Sequence, residues 1–151
     1  MPHPVIRYDT DFATKFMYLC RDLHLDKYSA AELLDIKRAS NINALWRGLD
    51  RIRPGVMERL EAIDQDIDEE VKTRAAALRV QHWAKDLLVS IIYRYDTSDD
   101  YHRLARPEMV ARWPVVALHH CFTQRLARQL NLLGVFTMFK ISLGEFSKAN
   151  D

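Results

Sequence analysis

The chain has 151 residues, with 22 Lys and Arg against 21 Asp and Glu and a formal net charge of +1. Hydrophobic residues make up 48% of it, enough for one core or two small ones, and the longest apolar runs fall far short of the roughly 18 residues a membrane span requires. Met1-Pro2-His3-Pro4 lacks a basic segment followed by an apolar one, so no signal peptide is read there. Cys20 and Cys121 lie far apart without ligand spacing, which points to reduced core residues of a cytoplasmic protein.

Phe12, Phe16, Leu19 and Leu23 form the apolar stripe of a first helix. Ser29 followed by Glu32 predicts a capping box, in which hydroxyl and carboxylate each satisfy an orphan backbone N–H, and Leu33, Leu34 and Ile36 give the short helix behind it an apolar side. After a break at Lys37-Arg38-Ala39, Ser40 is read as the N-cap of a third helix. Its stripe is Ile42, Leu45, Trp46 and Leu49, which leaves Asn41, Asn43 and Arg47 facing outward. Arg53-Pro54 marks an extended residue and then a proline at the first position of a fourth helix, with Val56, Leu60, Ile63 and Ile67 at spacings of four, three and four.

Charge is distributed unevenly along this stretch. From Lys37 to Arg53 there are five basic residues (Lys37, Arg38, Arg47, Arg51, Arg53) and one acid, Asp50, for a local charge of +4. Glu61, Asp64, Asp66, Asp68, Glu69 and Glu70 follow with no base between them. That acidic run reads as a solvated junction, or as the start of a further helix whose positive end it favours.

Beyond the junction, Val71 to about Leu88 reads as a long helix with Val71, Ala75, Leu78 and Trp83 toward a core. Val89 to Tyr95 switches to β-branched and aromatic residues, a strand signal. Ser98 is expected to cap a short helix through Leu104, which Pro107 ends, and Glu108 to Trp113 is expected as a short strand. Val115 to Leu133 reads as a second long helix closed by Gly134. Val135, Thr137, Phe139 and Ile141 alternate with Phe136, Met138 and Lys140 in a last strand, and Lys148 to Asp151 reads as a frayed tail. No internal repeat or low-complexity segment interrupts the chain.

A helix with one face on a core and amide and guanidinium groups on the other resembles a DNA recognition helix. Asn pairs in bidentate fashion with adenine and Arg with guanine at the major-groove edges, while flanking bases hold phosphates. The bland reading of the same residues is a solvated face with scattered charge, against which stands the layout of four helices in roughly 55 residues.

The short helix, the helix carrying Trp46-Arg47-Gly48, and Arg53-Pro54 opening another resemble the lambda-repressor-like helix-turn-helix domains. The chain from Phe12 to about Ile141 is similar to the small YdiL-like regulators, a group that includes autorepressors associated with anti-CRISPR genes. Tyr93, Tyr95, Asp100-Tyr101, Pro107 and Trp113-Pro114-Val115 carry that likeness in the second half. The resemblance implies a mainly α (α+β) chain: a helix-turn-helix DNA-binding domain over 1–68, then a small α+β dimerisation domain over 69–151. It also implies repression at inverted repeats. Two departures stand out. The usual Gly of the turn is missing from Ile36-Lys37-Arg38-Ala39, so a longer turn is expected, and a Gln common at the start of the DNA-facing pair is absent.

On this reading Lys37, Arg38, Ser40, Asn41, Asn43, Arg47, Arg51 and Arg53 contact double-stranded DNA, and Trp113, Phe122, Phe136 and Phe139 form a homodimer seam. No metal, cofactor, membrane contact or enzymatic constellation is expected: His119-His120-Cys121 are consecutive on a helix and point about 100° apart, and neither His82 nor His102 adds ligand spacing. The function expected is a homodimeric transcriptional repressor of its own operon. The alternative is an antitoxin-like module whose second half binds a protein partner.

Overall fold

The computed structural model describes residues 10–85 and 89–142. The readings of Met1 to Pro4, of the helix end at Leu88 and of the tail from Lys148 lie outside them. Among the described residues the chain is mainly helical, with seven helices and one two-stranded sheet. It forms two compact units, Met1–Asp64 and Gln65–Asp151.

The first unit holds α1 (Thr10–Asp22), α2 (Lys27–Leu33), α3 (Ala39–Trp46) and the opening turns of α4 (Pro54–Lys85). Phe16, Cys20, Leu23, Ala30, Ile42 and Leu60 are fully buried and make its core. α1, α2 and α3 end alike. His24, Asp35 and Gly48 take left-handed φ values of 62°, 55° and 66°. Each then lets the chain return two hydrogen bonds to the last turn, as Leu25 N–H does to the Cys20 carbonyl at 2.8 Å and Leu49 N–H to that of Ala44 at 2.9 Å. The left-handed residue missing from the expected turn window is thus Asp35, one position upstream. Asp tolerates that conformation better than most side chains.

Two caps differ from expectation. Ser29 is the third residue of α2, not its cap, and Glu32 has no part in the box. Asp26 caps: its Oδ1 accepts from the N–H groups of Tyr28 at 3.0 Å and Ser29 at 2.8 Å, while Ser29 Oγ accepts from the Asp26 N–H at 3.0 Å. A carboxylate serves two orphan donors at once, so the helix begins one turn earlier. Ser40 likewise lies inside α3, whose N-cap is Arg38 with no side-chain hydrogen bond. Leu49, expected on the core stripe, is 36% exposed.

The acidic run is not a junction between helices. α4 passes through it unbroken for 32 residues, because no proline or glycine occurs between Val56 and Lys85 to interrupt the ladder. The two compact units divide at Asp64, within that helix.

The second unit holds the rest of α4, β1 (Val89–Arg94), α5 (Ser98–Leu104), α6 (Pro107–Arg112), α7 (Val116–Leu132) and β2 (Phe136–Ile141). The strands pair in parallel with Val89 opposite Phe136 and Arg94 opposite Ile141, and a parallel pair needs the long crossover that α5, α6 and α7 provide. α7 packs on both strands. Gly134, with φ 81°, closes α7 as expected, Val135 N–H reaching the Leu130 carbonyl at 2.9 Å.

Three further expectations give way here. Thr97, not Ser98, caps α5, its Oγ1 accepting from Asp100 N–H at 3.1 Å. Glu108 to Trp113 is not a strand: Pro107 occupies the first turn of α6, with Glu108 at its positive end and Arg112 at its negative end, so the proline starts a helix instead of only ending one. Trp83 is 70% exposed rather than in the core, which takes Ile67, Val71 and Ala75 from the same helix.

Trp113 and Phe122 are corrections to the expected seam. Both are buried within their own unit, at 1% and 4% exposure, with ring centroids 4.9 Å apart. Aromatic side chains serve cores and interfaces equally well, so residue type alone did not separate the two. Phe136 and Phe139 are exposed, but successive strand positions place them on opposite faces of the sheet: Val89, Ile91, Phe136 and Met138 share one, while Phe139 lies under the Arg94 guanidinium at 3.9 Å on the other.

Candidate nucleic-acid interface

α3 owes its placement to two side chains. Ile42 is fully buried and Leu45 is 7% exposed, and α3 packs against α1 and α2. Their spacing of three fixes which side of an eight-residue helix is left over. Ser40, Asn41 and Arg47 are exposed on the remaining side; Asn43 is half-buried, so the outer face is narrower than the sequence suggested. Trp46 is half-buried, and its indole nitrogen is buried without a hydrogen-bond partner.

Below this helix, burial pushes the Cys20 thiol up to about 11. The neighbouring Trp46 indole pulls it slightly the other way, but with no formed hydrogen bond to the indole that influence is weak. Cys20 is therefore a protonated core residue, and Cys121 is likewise free and buried.

The basic residues fall into three groups around α3. Lys37 and Arg38 are exposed at its start. Arg47 is its C-cap, with backbone N–H on the Asn43 carbonyl at 3.0 Å. Arg51 and Arg53 follow on the loop to α4, and together with Asn41 they line a cleft of about 260 Å³ that also takes in Asp35 and Asp50. The Asp50 carboxylate is turned onto the Arg51 backbone N–H at 2.7 Å. Asn41, Arg51 and Arg53 are thereby brought to one place. Lys37, Arg38 and Arg47 border the helix without lining that cleft.

No side chain caps α3: Asn41 N–H turns back onto the Arg38 carbonyl at 2.9 Å, which leaves the N–H groups of Ala39 and Ser40 without a side-chain acceptor, beside Lys37 and Arg38. An anion is the natural acceptor at that end of a helix. The misplaced cap at Ser40 concealed it.

Chemically, this surface offers amide and guanidinium groups on a short supported helix, flanking bases, and an open helix start. It holds no nucleophile paired with a base. Among the described residues no group of three His, Cys, Asp or Glu side chains is arranged to hold a metal ion, and no helix is long and apolar enough to cross a membrane. No protein-family model matches the chain, and no curated protein matches it.

Proposed function

We propose that the chain is a sequence-specific DNA-binding regulator acting as a homodimeric repressor at an inverted repeat, its own operon being the first target. The observation that carries this reading is α3: Ile42 and Leu45 hold it on the core while Asn41 and Arg47 stay exposed between the basic residues Lys37, Arg38, Arg51 and Arg53. Arg47 and Asn43, one turn apart, read base edges. Lys37, Arg38, Arg51 and Arg53 hold phosphates, and the uncapped start of α3 takes a further phosphate oxygen. Ser40 lies along the same edge, and Asn41 stands to the side of it with Arg51 and Arg53. Two copies double these contacts and match a two-fold related site.

The test is a gel shift on the region upstream of this gene with scrambled DNA as competitor. Retention of the specific fragment at competitor excess supports the reading. Equal loss of both fragments contradicts it. A second reading, a protein-interaction module of antitoxin type, is favoured by the apolar sheet face of Val89, Ile91, Phe136 and Met138. A toxin gene beside this one, with no inverted repeat in its promoter, selects that reading.

A further inference from the structure

α4 carries a second stripe besides its buried one. Gln65, Glu69, Lys72, Ala76, Arg79 and Trp83 recur at spacings of four, three, four, three and four, the spacing of a coiled-coil seam carried here mostly by polar side chains, and all six are exposed. They lie roughly a third of a turn from the buried line of Ile67, Val71 and Ala75. Part of this stripe borders an open groove of about 910 Å³ between α4 and the end of α7, with Ala75 and Ala76 among its walls. Val80 and Trp83 stand out at 69% and 70% exposure, and the Arg79 guanidinium lies 5.6 Å from the Trp83 ring.

The charges along the stripe have direction. Glu69 lies toward its start, receiving a hydrogen bond from Gln65 at 3.2 Å, and Lys72 and Arg79 follow. Among the described residues none of these three makes an ion pair within the chain, whereas Asp66, Asp68 and Glu70 on the same helix do. Two such helices side by side in parallel set Glu69 against Glu69 and Arg79 against Arg79. Laid antiparallel about a two-fold axis at the level of residue 74, they set Glu69 against Arg79 twice, Lys72 against the small Ala76 twice, and Gln65 against Trp83 twice. Position a then meets position d in every layer, the pairing an antiparallel coiled coil requires.

We infer that this face of α4 is a self-complementary surface on which a second copy of the chain docks antiparallel. The inference rests on the homodimer reading above and moves the seam from the buried Trp113 and Phe122 to Glu69, Ala76, Arg79 and Trp83. An isologous contact of this kind closes on itself, as a two-fold dimer must. Opposite charges fix the register, and the exposed Val80 and Trp83 supply apolar contact.

Sedimentation velocity on the full chain without DNA tests it, with parent, Glu69→Arg, Arg79→Glu and the doubly exchanged Glu69→Arg/Arg79→Glu compared over a concentration series. These positions are exposed, and circular dichroism checks that each variant is folded. Each single change weakens dimerisation by about tenfold or more, and the double exchange restores it. Single variants that dimerise like the parent, a double exchange that fails to restore, or a parent that stays monomeric at tens of micromolar would each overturn the inference. A parent that dimerises with this charge pattern but ignores its upstream DNA leaves the surface standing and removes the DNA reading alone.

Discussion

Asp66 and Arg112 are joined through both carboxylate oxygens: Arg112 Nε meets Oδ2 and Nη2 meets Oδ1, each at 2.7 Å. The Trp113 indole N–H donates to the same Oδ2 at 3.1 Å, and Arg112 Nη1 reaches Glu70 at 3.0 Å. α4 and α6 are thereby pinned at the edge of the second core, with the buried Trp113 ring held by one end of the pin. The Tyr101 hydroxyl, donating to the Trp113 carbonyl at 2.7 Å, fixes the backbone of the same residue.

The Arg112 hydrogen bonds hold the Asp66 carboxyl below the usual carboxylate range, against the opposing effect of partial burial. Its folded-state pKa lies under its unfolded one, so the contribution to stability is complete above about pH 4 and disappears as pH falls through the lowered value. Asp66→Asn should cost about 1–2 kcal/mol near neutrality, a bidentate pair discounted for its partial exposure. Urea midpoints of parent and variant measured against pH check this. The gap should be constant above about pH 5 and narrow toward pH 3; a gap unchanged at pH 3 contradicts the assignment.

His119 should be neutral throughout the physiological range. It is 1% exposed among the rings of Tyr95, Tyr101 and Phe122, with Nδ1 unpartnered. Burial, aided by the charges of His120 and Arg94, pushes its pKa down to about 3. The unfolded chain takes up this proton first as pH falls below about 6.5, so stability declines from there toward pH 3, by at most about 1.4 kcal/mol per unit from this group. Two-dimensional NMR of the imidazole should show one ring that does not titrate between pH 8 and pH 5. A His119 resonance with a midpoint near 6.5 contradicts the burial argument.

Capping energies separate two serine assignments. Asp26→Ala removes the acceptor for the Tyr28 and Ser29 N–H groups and should cost about 1 kcal/mol, within a range of roughly 0.5–2. Ser40→Ala, inside α3 and exposed, should change folding stability by less than about 0.5 kcal/mol. Chemical denaturation followed by circular dichroism compares them. A Ser40 variant as destabilised as the Asp26 variant would restore the serine as a cap.

These two serines also show what was legible in the sequence. The stripes of α1, α3 and α4, the proline opening α4, both strands and the glycine after α7 follow from local spacing, and local spacing is what the chain displays. Caps were displaced because neighbouring residues offered competing acceptors: Asp26 stands three positions before Ser29, and Thr97 stands one before Ser98. What the acidic run pairs with was not legible, because its partners are long-range and no window contains them, among them Arg112 on Asp66 and Arg125 on Asp68. Of the candidate site, the exposed Asn41 and Arg47 followed from the stripe of Ile42 and Leu45. The open start of α3 did not, because Ser40 resembled a cap.

Aromatic residues were harder to place, and their energetics can be measured. Trp113→Ala should cost about 3–5 kcal/mol as a truncation in a packed core, whereas Phe136→Ala, at a side chain 75% exposed, should cost less than about 1 kcal/mol in the isolated chain. Thermal denaturation at a concentration too low for self-association makes the comparison. A mild Trp113 variant would return that ring to the surface.

A salt titration of binding to the upstream region and to scrambled DNA, with parent, Asn43→Ala, Arg47→Ala and Arg51→Ala each confirmed folded, decides whether α3 reads DNA. Arg47→Ala should cost roughly 1–3 kcal/mol per half-site on the specific fragment and relax the preference for it. Arg51→Ala should weaken binding to both fragments about equally and lower the salt slope by about one unit. If folded Asn43→Ala and Arg47→Ala both bind the specific fragment as the parent does, α3 does not read bases, and the DNA-binding account is contradicted.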